Sequence, residues 1–256
     1  MYSYQDFINE SETNILRIQA ENLLKETYAY QNEDGTWSSN KSLNLSYARE
    51  ISNKGKLLIK FKKIKGGLRL NGLALTTLEG CPETVLLAFN ASNNDLTDLK
   101  GGPKIVGGDY IMSNNYLTSL EGMPNKLYKT LDLSRNRLTN IIGSPLTVKD
   151  MDLTKNPITS LEGLPKLIRG TLSFWVDSLP GAEKQFMMSI EKNNYQIEGE
   201  YFLALLKFLV YNWGINPKIH HEQEVFDKFK DTVRWPEGFL TKDLLRSIMG
   251  ISKFNI

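Results

Sequence analysis

At 256 residues the chain is long enough for one large domain or two to three small ones, and its 41% hydrophobic and 23% charged residues are those of an ordinary globular protein. A formal charge of +2 points neither to a polyanion binder nor to an acidic solvating tail. The single cysteine, Cys81, leaves no internal disulfide and no multi-cysteine zinc site, which fits a reducing compartment.

From the N-terminus, residues 1–6 carry neither a basic segment nor an apolar run of the kind a secretory signal needs, so the expectation is a soluble, cytoplasmic protein. Residues 10–30 have helical spacing through Ile15, Ile18, Leu23 and Leu24, with Ser11 and Thr13 as candidate N-caps. Leu57, Ile59 and Phe61 then alternate with polar residues, as a strand preparing a larger sheet would. Residues 1–65 read as an N-terminal helical and strand cap. Within them Lys54, Lys56, Lys60, Lys62, Lys63 and Lys65 place six lysines in twelve residues. A phosphate-backbone site wants such a run. An edge strand kept soluble by lysine wants it equally. Phe61, the one interleaved aromatic, is in phase with the buried face, so the structural reading is preferred and nucleic-acid binding is the alternative.

The next segment repeats. Pro82, Pro103, Pro124, Pro145 and Pro165 are 21, 21, 21 and 20 residues apart. Two residues before each stands Gly80, Gly101, Gly122, Gly143 or Gly163, and earlier in each unit comes Thr76, Thr97, Thr118, Thr139 or Thr159. Leu131-Asp132-Leu133 alternates as a short strand with one buried face, and its equivalents are Leu68/Leu70, Phe89/Ala91, Tyr110/Met112, Met151/Leu153 and Leu172/Phe174. Leu138 and Ile141, with their counterparts, add two further inward side chains. Asn94, Asn115, Asn136 and Asn156 recur where each strand ends. An amide carries both donors and an acceptor, so stacked asparagines can form a ladder that satisfies the backbone of successive turns.

Leu131-x-Leu133-x-x-Asn136-x-Leu138 and its counterparts match the leucine-rich-repeat consensus. The longer unit around Asn115-Tyr116-Leu117-Thr118-Ser119-Leu120-Glu121-Gly122-Met123-Pro124 resembles the repeats of leucine-rich-repeat proteins of tailed bacteriophages and prophages. The resemblance implies an α+β leucine-rich-repeat solenoid over residues 66–177, of about five to six turns with a parallel β-sheet on its concave face. It also implies phage origin. Leu73 stands where the first unit's asparagine would be, as in a terminal turn with no earlier neighbour to bridge.

Outward strand positions are where a repeat protein commonly meets a partner. Asp132 and Asp152 are expected side by side, about 4.8 Å apart, with Asp150 further along the same strand. Like charges so placed are mildly destabilising, which argues that they serve binding rather than stability. Asp109 extends the acidic patch, while Ile111 and Trp175 supply apolar anchors for a basic protein surface.

Residues 178–256 have no repeat and read as a C-terminal α-helical domain, with helices near 181–193, 199–212, 217–231 and 241–250. His220-His221-Glu222-Gln223-Glu224 holds the only histidines, but not in the His-Glu-x-x-His order of a zinc site. Cys81 fills the variable slot between glycine and proline and reads as a spacer. No catalytic residue, metal or cofactor is implied. The functional expectation is a non-enzymatic module that binds a host or phage protein. A virion component using the repeats as a rigid spacer is the rival. Neither the partner's identity nor the oligomeric state is legible, and no membrane segment is expected.

Overall fold

The structure, a computed structural model, describes residues 4–160, 163–165, 167–174, 222–232 and 240–249. Its centre is a β-solenoid with two parallel sheets. The first has seven strands in strict chain order: Leu43–Asn44, Leu68–Arg69, Phe89–Asn90, Tyr110–Ile111, Thr130–Asp132, Asp150–Asp152 and Leu172–Ser173. The second has five: Ala29–Gln31 runs antiparallel to Trp37–Ser39, and Phe61–Ile64, Thr84–Val85 and Ile105–Val106 follow in parallel. Thr147–Val148 and Leu167–Ile168 form a parallel pair at the equivalent place in later turns.

The core between the sheets is built of columns, one residue per turn. Leu68, Phe89, Tyr110, Leu131 and Met151 form one, and Leu70, Ala91, Met112, Leu133 and Leu153 the next, all buried. Leu75, Leu96, Leu117, Leu138 and Ile158 make a third. Each such side chain contributes about 1.5–3 kcal/mol over leaving it exposed, which explains how strands of two residues persist. A further column was not anticipated. Val85 and Val106 of the second sheet, Leu127 of the next turn, and Val148 and Ile168 of the later parallel pair are buried, each three residues after the unit's proline.

The recurring asparagines close the ends of the first-sheet strands. Asn115 Nδ2 donates to the carbonyls of Ala91 (3.0 Å) and Met112 (3.1 Å), while its Oδ1 accepts from the Leu96 N–H (3.1 Å). Asn136 and Asn156 repeat this one and two turns on, through Leu117 N–H (3.0 Å) and Leu138 N–H (3.0 Å). Asn94 accepts from two amides, Leu73 N–H (2.9 Å) and Leu75 N–H (3.0 Å). Each amide therefore holds its own strand end and the turn before it.

Upstream the structure departs from expectation in four places. Both parallel sheets begin before residue 66, at Leu43–Asn44 and Trp37–Ser39, so the Leu73 turn has a neighbour before it. Leu57, Ile59 and Phe61 do not share one strand: Lys56–Leu57 pairs antiparallel with Ser52–Asn53, and Phe61–Ile64 belongs to the second sheet. The first helix, α1 (Tyr4–Lys25), starts earlier than predicted, which places Ser11 and Thr13 inside it rather than at its cap. It buries Ala20 and Leu24, four residues apart on one face, and leaves Ile15 and Ile18 each 57% exposed.

Among the expected C-terminal helices, two segments are described. Glu222–Thr232 (α2) and Lys242–Ile248 (α3) touch each other, and Val225, Phe229 and Leu245 are buried. Thr241 caps α3 by accepting from the Leu244 N–H at 3.1 Å. The segments predicted near 181–193 and 199–212 lie outside the described residues.

Candidate functional site

The register of the first sheet sets its outer face. Asn44, Arg69, Asn90, Ile111, Asp132, Asp152 and Ser173 are successive cross-strand partners in one row. Thr130 and Asp150 are partners in the row before it, which Asp109 extends into the preceding turn. Asp109, Ile111, Asp132, Asp150 and Asp152 are all half-buried. Trp175 lies outside the described residues.

The carboxylates do local work. Asp132 Oδ1 accepts from the Ser134 N–H (3.0 Å) and hydroxyl (2.7 Å), and Asp152 Oδ1 from the Thr154 N–H (2.8 Å). These are Asx turns that redirect the chain out of the strand. Asp109 Oδ1 accepts from the Thr130 N–H (3.1 Å) and Asp150 Oδ1 from the Thr171 N–H (2.9 Å), each tying one turn to the next. The premise that stability alone disfavours these aspartates is thus corrected: each satisfies a backbone donor.

The same turns also occur without charge. Asn44 Oδ1 accepts from the Ser46 N–H (3.2 Å) and Asn90 Oδ1 from the Ser92 N–H (2.9 Å). Asparagine therefore suffices for the turn. The negative charge at Asp132 and Asp152 is an addition that the turn does not require.

Asp150 is set apart electrostatically. The Thr171 N–H, with help from the Lys149 ammonium at 3.3 Å, holds its carboxyl below the usual range against the opposing effect of desolvation. A carboxyl whose folded pKa is depressed contributes stability above its unfolded pKa and loses it as pH falls through the folded value. Asp150→Asn is therefore expected to flatten the decline in urea-unfolding midpoint below about pH 4. An unchanged acid limb would remove this role from Asp150.

Beside the acidic row lies a shallow polar concavity of about 300 Å³, lined by Asn93, Ser113, Asn114, Ser134 and Arg135. Asn93, Asn114 and Arg135 have positive φ (57°, 57° and 56°), and Asn114 Nδ2 donates to Asn93 Oδ1 at 2.6 Å. Their common place, one residue before each ladder asparagine, is visible in the repeat. The concavity offers amides, hydroxyls and one guanidinium for hydrogen bonding.

The Cys81 residue is partly covered, but its sulfur packs against the core, and desolvation pushes the thiol well above its ordinary range. Among the described residues no group of three histidine, cysteine or acidic side chains could hold a metal ion. His220 and His221 lie outside those residues, and Glu224 is exposed on α2. No described helix is long and apolar enough to cross a membrane.

The fold and this face define a two-sheeted parallel β-solenoid whose first sheet presents a polar, partly acidic surface. Compared with protein-family models, curated proteins and solved structures, the chain has no match.

Proposed function

We propose that the protein is a non-enzymatic binding module of the leucine-rich-repeat class, which engages a basic protein surface through the outer face of its seven-stranded sheet. The class assignment rests on the Leu-x-Leu-x-x-Asn-x-Leu units and on the asparagine hydrogen bonds that recur turn by turn. The choice of face rests on one observation. Asn44 and Asn90 form the same strand-end turn as Asp132 and Asp152, so the charge of the adjacent aspartate pair is surplus to folding. Half-buried Ile111, next to Asp132 in the row, gives the patch an apolar contact. The bacteriophage resemblance supports a partner inside a host cell, where a rigid sheet face could occupy a defence or takeover protein.

The double variant Asp132→Asn/Asp152→Asn keeps the turn acceptors and removes the charge. Immobilised beside the wild type and offered the same native-cell extract, it is expected to fail to retain the wild type's specific partner while unfolding within about 0.5 kcal/mol of wild type. A partner retained equally by both chains would place the site elsewhere. Fixed copy number in purified particles would instead support the rigid-spacer reading.

A further inference from the structure

The lysine run has a different setting from the one the sequence suggested. Phe61–Ile64 is not an edge strand: Trp37–Ser39 pairs with it on one side and Thr84–Val85 on the other. Protection of an exposed edge therefore does not account for its lysines.

Register shows where they go instead. Lys63 is the cross-strand partner of Thr84, which in turn partners Ile105. Lys126 follows Pro124 as Ile105 follows Pro103, so it continues this outward row into the next turn. Tyr128 follows two residues later, in the column that Lys65 begins. Lys63, Lys65, Lys104 and Lys126 are exposed, and among the described residues none has a carboxylate at ion-pair distance. Exposed Arg169 carries positive charge into the last turn, whereas Lys149 is engaged by Asp150 at 3.3 Å. Asp34 is engaged by Lys62 at 2.8 Å and Glu79 by Lys56 at 3.9 Å, while exposed Glu83 stands one residue before Thr84 of the row. Carboxylates thus gather on the later strands of the first sheet, whose outer row also holds exposed Arg69, and the lysines without an acidic partner gather on the second-sheet side.

Apolar groups are set among those cations. Ile105 is 57% and Tyr128 62% exposed, and both line a cleft of about 380 Å³ with Lys104 and Lys126 at its rim. An aromatic ring left in solvent gains by stacking on a flat partner. Neighbouring turns advance by about 4.8 Å, so Lys63 and Lys126, three turns apart, span about 14 Å along the solenoid, a length of a few nucleotides. Lysine offers point charges suited to phosphate oxygens, whereas paired carboxylates are better met by the arginine fork.

We propose that the outer face of the second sheet binds single-stranded nucleic acid, with Lys63, Lys104 and Lys126 on phosphates and Tyr128 under a base. This face is separate from the acidic one, so the two functions can fail independently.

The test is anisotropy of a labelled oligothymidylate strand titrated with the full chain across a salt series. Wild type is expected to bind with a steep salt dependence. Lys63→Gln/Lys104→Gln/Lys126→Gln should flatten the slope of log K against log salt by about 2, at roughly 0.7 per single-strand phosphate contact. Tyr128→Ala should weaken binding about tenfold and leave that slope unchanged. Asp132→Asn/Asp152→Asn, on the other sheet, should not weaken binding. No binding at low salt would overturn the proposal. Tighter binding of a duplex with no effect of Tyr128→Ala would overturn the single-strand assignment. Displacement of the strand by polyglutamate at equal charge concentration would reassign the face to an acidic protein.

Discussion

Gly122→Ala is expected to destabilise the solenoid by about 2–6 kcal/mol, the sum of backbone strain and overpacking. Gly122 has φ of +96°, and a Cβ there would collide with the Leu99 carbonyl carbon and oxygen of the preceding turn. Backbone atoms of a paired turn cannot swing aside as a flexible side chain can. Gly143 is the internal control. It occupies the same place in the next unit with φ of +93°, but its added Cβ would find its nearest atoms at 3.6 Å. Gly143→Ala should therefore carry the conformational strain alone, roughly 1–3 kcal/mol. Urea-unfolding midpoints of the two variants measure the difference. Equal losses would mean that the turns do not approach each other at Gly122 as described.

Asn115→Ala is expected to cost about 3 kcal/mol. It removes three buried hydrogen bonds at once, orphans the Leu96 N–H, and leaves the Ala91 and Met112 carbonyls with one amide donor each, Asn94 Nδ2 and Asn136 Nδ2. Orphaned buried groups cost about 1–3 kcal/mol each before relaxation, and neighbouring losses do not add fully. Asn125→Ala, an exposed site ten residues further on, should change stability by less than about 0.5 kcal/mol. The contrast separates a structural ladder from a general preference for asparagine in turns. Similar losses for both variants would contradict it.

The periodic part of this fold was legible because its causes are local. Proline spacing, the inward Leu-x-Leu pairs and the recurring asparagine fix the first sheet and its register. The second sheet was hidden by its own surface. Val85 is buried, yet Leu86 and Leu87 beside it are 42% and 56% exposed, and Ile105 beside Val106 is exposed as well, so apolar alternation does not mark the inward residue. Ile15 and Ile18 misled in the same way on α1, where the buried face is set by what packs against Ala20 and Leu24. The edge or interior status of the lysine strand depends on long-range pairing, which no local pattern encodes. The Asx turns were another matter. Asn44-x-Ser46, Asn90-x-Ser92, Asp132-x-Ser134 and Asp152-x-Thr154 stand openly in the sequence. Reading them as turns first would have separated the part of each side chain that folds the strand end from the charge left over.

That leftover charge carries the functional account, and an association rate tests it most directly. For the partner retained by the wild type, the rate constant should rise as salt is lowered, because opposite charges steer encounter. In Asp132→Asn/Asp152→Asn, with the turns preserved, the low-salt rate constant should fall about tenfold and its salt dependence should flatten, while dissociation changes less. A double variant that associates at the wild-type rate, with the wild-type salt slope, would contradict the claim that these carboxylates recruit the partner.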